Sequence, residues 1–126
     1  MKLSIRNILV VDDTPSNLHM MDIMLGRHGL IIDKALDASE ALEKIDSNKP
    51  DLIMLDIRMP GKDGFEFCEV LRENPDYDDV DIIFVTAVDR TDVSPKRMEA
   101  LNIRDIIRKP ILNDELEQKL YDLYGV

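Results

Sequence analysis

The chain has 126 residues, a net charge of −10 at neutral pH and 44% hydrophobic residues. That is the size of one domain with a real core, and its acidity argues against a direct nucleic-acid surface or an anionic-membrane surface. Apolar runs of only a few residues argue against a membrane span and a secretory signal, while a lone cysteine, Cys68, excludes an internal disulfide and makes the cytoplasm the expected compartment.

Residues 1–6 read as a short polar lead-in to a single domain spanning 1–126. Asn7 to Val11 (NILVV) is a buried strand that ends in acid, Asp12 and Asp13. Thr14-Pro15 then reads as a cap followed by proline at the first helical position. Leu18, Met21 and Leu25 recur at helical spacing, and Gly26 and Gly29 bracket that helix's end. Leu30 to Leu36 is a weaker strand. Asp37-Ala-Ser-Glu40 resembles a capping box ahead of a second helix with Ala41, Leu42 and Ile45 on its apolar face.

Leu52 to Leu55 is an unbroken apolar run too short for a helix, suited to a strand covered on both faces. It stops at Asp56, and Pro60, Gly61 and Gly64 mark a loop. A third helix is expected from about Phe65 to Arg72, stopped by Asn74-Pro75. Asp81 to Thr86 (DIIFVT) is a fourth strand. Ser94-Pro95 opens a short fourth helix. Asp105 to Arg108 is a charged edge strand running into Lys109-Pro110. A last helix from about Asn113 carries a stripe of Leu112, Leu116, Leu120 and Leu123. Strands alternating with helices imply an α/β fold, a five-stranded parallel sheet with five helices on its two faces.

Parallel strands deliver their carboxyl ends to one rim, where such sheets place their chemistry. Reading off those ends gives Asp12, Asp13, Asp56, Thr86 and Lys109. Each has a dull explanation alone, since Asp is a common turn residue. Four strand ends that all supply polar groups are harder to dismiss. Three ionised carboxylates repel one another, and a divalent cation relieves this: about −3 from the acids meets about +2 from Mg²⁺ and +1 from Lys109. Oxygen donors with room for water suit Mg²⁺. Metal, ammonium and a free carboxylate together form a site for a phosphoryl group.

ILVVDD, LIMLDIRMPGKDGFE, IIFVTA and IIRKP, in this order and spacing, resemble the receiver domain of bacterial two-component response regulators, of the chemotaxis-regulator type, over nearly the whole chain. The resemblance implies a flavodoxin-like sheet of order 2-1-3-4-5. It implies Asp56 as phosphoacceptor, and Mg²⁺ held by Asp13, Asp56 and the backbone carbonyl of Arg58, with Asp12 acting mostly through water. Thr86 and Lys109 would contact the phosphoryl oxygens, with Ala87 leaving space beside them, and the Lys109–Pro110 bond would be cis. Phosphorylation would draw the Thr86 hydroxyl inward and repack the face of helix 4, strand 5 and helix 5.

The sequence departs from the family at Ile106, where Tyr or Phe is usual, so aromatic rotation does not report the state. The polar loop from Val88 to Ser94 and the start of helix 4 are the expected mobile part instead. Arg58 stands at the mouth of the site, either screening the phosphate from water or as a solvated surface side chain. His19 and His28 are expected to be exposed or capping, Cys68 to be a small buried hydrophobe and the methionines to be scattered core filling. Tyr121 and Tyr124 fall off the leucine stripe, on a partner face or plain surface.

The implied function is a switch phosphorylated by a sensor histidine kinase or a histidine phosphotransfer protein, assisting its own phosphorylation without being a turnover enzyme. Its output would be a protein target or an output domain, with phosphorylation-dependent dimerisation open. A receiver belonging to a larger hybrid kinase or cyclase, and a pseudo-receiver that only binds, are the alternatives. A haloacid-dehalogenase-type phosphatase would need a second acid at Arg58. A flavodoxin-type carrier would need a hydroxyl- and glycine-rich loop where Asp12 and Asp13 stand.

Overall fold

The computed structural model describes residues 2–59, 61–87 and 93–126. Five parallel strands, β1 (Asn7–Val11), β2 (Ile31–Ala35), β3 (Leu52–Leu55), β4 (Asp81–Thr86) and β5 (Ile103–Arg108), pair in the order β2-β1-β3-β4-β5. Between and after them run α1 (Pro15–Gly26), α2 (Ala38–Ser47), α3 (Gly64–Arg72), α4 (Pro95–Ala100) and α5 (Asn113–Tyr124).

Alternation along the strands splits the core in two, because successive side chains point to opposite faces. Leu9, Val11, Ile53, Leu55, Ile82 and Phe84 pack with Ala41, Ile45, Phe67, Cys68 and Leu71 of α2 and α3. Ile8, Val10, Leu52, Met54, Ile83 and Val85 pack with Leu18, Met21 and Leu25 of α1 and Leu116 and Leu120 of α5. All of β3 is buried, as a central strand covered on both faces must be. Four of the methionines, Met21, Met24, Met54 and Met59, fill this core.

Local chemistry sets the helix starts. Asp63 accepts from Glu66 N–H at 2.9 Å while Glu66 accepts from Asp63 N–H at 3.5 Å, closing a capping box on α3. Ser94 caps α4 through Arg97 N–H at 3.3 Å. Asp37 caps α2 through Glu40 N–H at 2.8 Å. Thr14 makes no side-chain cap on α1; its own N–H instead donates to Asp12 Oδ1 at 2.9 Å.

Three expectations change. The buried stripe of α5 is Leu116, Leu120 and Tyr124, with Leu123 partly buried against it as expected: Leu112, at the cap position ahead of the helix, is among the exposed apolar side chains. Tyr124 is therefore core, its hydroxyl donating to Asp81 at 2.8 Å with Arg104 over its ring at 5.2 Å; only Tyr121 is surface. His28 is also not exposed, its side chain lying 3.3 Å from Glu117 of α5 and only 13% accessible.

The lead-in belongs to the fold. Ile5 is buried, Leu3 bridges Gly125, Ser4 N–H donates to Tyr124 O at 2.8 Å and Val126 N–H to Lys2 O at 3.1 Å.

Candidate functional site

Backbone hydrogen bonds between neighbouring strand ends fix the rim. Asp12 N–H donates to Ala35 O, Asp56 N–H to Val11 O and Lys109 N–H to Thr86 O, at 3.1, 3.1 and 2.8 Å. Each residue that leaves a strand is thus tied to the end of the adjacent one, so the side chains just beyond β1, β3 and β5 emerge together.

They meet at the ammonium. Lys109 Nζ lies 2.8 Å from Asp12 Oδ2 and 2.8 Å from Asp56 Oδ2, and both carboxylates are buried. Burial pushes the Lys109 ammonium down, but hydrogen bonds and charge from Asp12 and Asp56 outweigh it and hold its pKa above the ordinary lysine value. Lys109 is therefore a cation at neutral pH. Asp13, more exposed, completes a set of three carboxylates that can each present an oxygen within 4.8 Å of the others.

The environment of Asp56 is built by its own loop. Arg58 N–H donates to Asp56 Oδ1 at 3.1 Å, and the Arg58 side chain is exposed. Gly64 N–H donates to Ile57 O at 2.7 Å. A Cβ at Gly64 would stand 2.8 Å from Ile57 Cα and 2.9 Å from Asp56 O. The first residue of α3 thus lies directly on the backbone that carries Asp56, where only glycine fits.

Thr86, the last residue of β4, is fully buried. Ala87, just beyond it, lines the same cavity as Asp12, Asp56 and Lys109. The Lys109–Pro110 peptide bond is cis. Ile106 sits apart, buried in the α2–α3–α4 core. Of the loop assigned to movement, 88–92 lie outside the described residues; Val93 is buried.

Asn17 was not anticipated. From the first turn of α1 its Nδ2 approaches Asp12 Oδ2 at 3.3 Å and Oδ1 at 3.4 Å. Its place five residues after Asp12 and two after Pro15, one turn into the helix, is the signal that would have found it.

Three convergent carboxylates and one ammonium leave about two negative charges uncompensated, and every donor is a hard oxygen. That set fits Mg²⁺, which binds through a few carboxylates and keeps positions for water and phosphate. Asp12, Asp13 and Asp56 can hold it.

The response regulator receiver domain model matches residues 8–121. The chain belongs to the response regulator receiver domain family. It is 34% identical to the protein PilH of Pseudomonas aeruginosa over 111 residues, covering 86% of this chain and 89% of PilH. It is 33% identical over 104 residues to the response regulator PleD of Caulobacter vibrioides, covering 82% of this chain but 23% of PleD. Among solved structures, chemotaxis response regulator CheY4 of Vibrio cholerae superposes with a TM-score of 0.85 at 27% identity, over 95% of this chain and 99% of that one. Response regulator TrrA of Thermotoga maritima, in complex with Mg²⁺ and BeF, superposes at 0.78 with 35% identity, over 94% and 98%. This receiver therefore spans nearly all of one relative and about a quarter of another.

Proposed function

We propose that this receiver takes a phosphoryl group on Asp56 from a phosphohistidine of a sensor kinase or a phosphotransfer protein, and that the phosphorylated form signals to a protein target or an attached output domain. The observation that carries this reading is the shared ammonium: Lys109 Nζ bridges Asp56 and Asp12 at 2.8 Å each. A buried carboxylate with a fixed cation beside it is a nucleophile placed next to its own charge compensation.

In the proposed step an Asp56 oxygen forms a bond to phosphorus as the bond from phosphorus to the imidazole nitrogen breaks. The electron pair leaves with the imidazole. Lys109 offers its protons to the incoming phosphoryl oxygens, and the Arg58 N–H steadies Asp56. Thr86 closes β4 and Ala87 lines the same cavity as Asp56; on this reading the Thr86 hydroxyl joins the phosphate once it arrives. Mg²⁺, when bound by Asp12, Asp13 and Asp56, with the Arg58 carbonyl as a further ligand, supplies charge neutralisation for the transferring group. The domain assists its own phosphorylation and does not turn over a substrate.

The face of α4, β5 and α5 is the proposed output surface. Ile106, already in the core, has no ring to swing, so the β4–α4 connection and the start of α4 carry the change, through a protein contact or dimerisation. A cytoplasmic site of action follows from the same reading. The test is incubation with phosphoramidate and Mg²⁺. Wild type should gain one phosphate in intact mass and Asp56→Asn none; equal gain in both would refute the assignment.

A further inference from the structure

The cavity of about 410 Å³ that Asp12, Asp56 and Lys109 line extends past these groups into space that the phosphoryl chemistry described above does not use. It opens on Asp12, Asp56 and Lys109 and runs between α1 and the β5–α5 connection. Past that polar mouth its walls are Met20, Met21, Met54, Val85, Pro110 and Ile111. Neither the transfer step nor Mg²⁺ needs an apolar chamber of this size. Pockets of about 300–1,000 Å³, mostly apolar with a few convergent polar groups, are the usual form of a small-molecule site.

The polarity of the two ends dictates the shape of an occupant. Lys109, held charged, faces the acceptor carboxylate and suits a phosphate. The far walls carry no charged side chain and repay only apolar surface. Three methionines give them flexible, polarisable side chains that adjust to a ring or a branched chain. A molecule that fits both ends has a phosphoryl group joined to an apolar body.

We propose that this cavity is a leaving-group subsite, selecting small acyl phosphates with an aromatic or branched acyl group as direct phosphodonors over acetyl phosphate. The proposal rests on Asp56 being the phosphoacceptor. An Asp56 oxygen bonds to phosphorus while the bond from phosphorus to the acyl carboxylate oxygen breaks. The electron pair departs with the carboxylate, so no oxidant, reductant or further reactant is required. The apolar part of the leaving carboxylate lies among Met20, Pro110 and Ile111. An acetyl group leaves most of that space unfilled.

The experiment compares benzoyl phosphate with acetyl phosphate, each at equal concentration with Mg²⁺, following phosphate gain by intact mass. Met20→Trp narrows the cavity from α1, where the side chain is 40% exposed and tolerates replacement; Ile111→Phe narrows it from the opposite wall. Differences in intrinsic donor reactivity cancel when the benzoyl-to-acetyl rate ratio of a variant is divided by that of wild type. The expected result is a ratio about tenfold lower in both variants, the scale on which apolar pockets discriminate. In parallel, phenacylphosphonate, an unreactive isostere with methylene for the bridging oxygen, should shift the methyl resonances of Met20 and Met54 in wild type. An unchanged ratio together with unmoved methyl resonances would overturn the subsite and leave the cavity to a side chain of a protein donor. Phosphorylation of wild type by neither donor would instead bring down the acceptor reading itself, a separate outcome.

Discussion

Single residues decide whether the site exists. Gly64 is the sharpest case, because its space is filled by the backbone of Asp56 and Ile57 and not by a movable side chain. Gly64→Ala should cost about 1–3 kcal/mol of stability by overpacking and slow phosphate gain, since the strain falls on the backbone of Asp56, the proposed acceptor. A variant as stable and as quickly phosphorylated as wild type in urea and mass measurements would contradict this. The sequence shows that glycine only as a loop breaker; the close approach comes from α3 folding back on β3. The acids and Lys109 were legible because each directly follows a strand whose apolar run is visible. Asn17 was passed over, since its spacing from Asp12 and Pro15 points to the site only once the rotation of α1 about its axis is known. Cys68 was also readable, as an apolar-spaced residue in α3. Burial pushes its thiol up to about 12, so at pH 8 it should stay unreacted with a thiol reagent until the protein unfolds. Rapid labelling of the native protein would refute that.

At the scale of elements, two ties hold parts of the proposed output face. The Arg72 guanidinium at the end of α3 donates to the carbonyls of Tyr77, Val80 and Leu101 at 2.7, 2.9 and 3.0 Å, and at longer range to Asn102 and Asp78. Asn102 takes a positive φ of 55° just past α4, the left-handed stop that Asn tolerates. Arg97 of α4 sits over the Phe65 ring at 4.2 Å and pairs with Glu69 at 3.3 Å. The carboxyl end of α4 is thereby anchored to α3 and the turn before β4. Arg72→Ala should cost about 2 kcal/mol, the scale of hydrogen bonds from a charged donor, and raise hydrogen exchange in 97–104 before the rest of the sheet. Uniform exchange would rule out the anchor. Sequence spacing gave α4 its start through Ser94-Pro95, but an arginine satisfied by carbonyls from distant turns leaves no local pattern.

Across the whole molecule, the termini close the fold at the sheet's amino edge while the chemistry sits at its carboxyl edge. The Tyr124 hydroxyl on Asp81 joins the end of α5 to the start of β4. Burial first, and that hydrogen bond second, raise the Tyr124 pKa above its ordinary value near 10. A raised folded-state pKa means that this contribution is complete below about pH 10 and is lost as pH climbs further. Tyr124→Phe should therefore lose about 1 kcal/mol at pH 7 and show a shallower decline in stability than wild type between pH 9.5 and 11. Parallel declines in denaturant titrations would contradict this. The topology was legible from alternating runs and breakers, helped by the family resemblance. The closure of the termini was not, since Lys2 to Ser4 carry only one apolar residue, Leu3, and are tied largely through backbone groups at the far end of the chain.

The central claim is that the strand-end residues gather so that Asp56, and neither of its acidic neighbours, accepts the phosphoryl group. Borohydride reduction converts an aspartyl phosphate to homoserine, and tandem mass spectrometry of the digested protein locates it. After treatment with phosphoramidate and Mg²⁺, homoserine is expected at position 56 alone. Homoserine at Asp12 or Asp13, or none at any of the three, would contradict it.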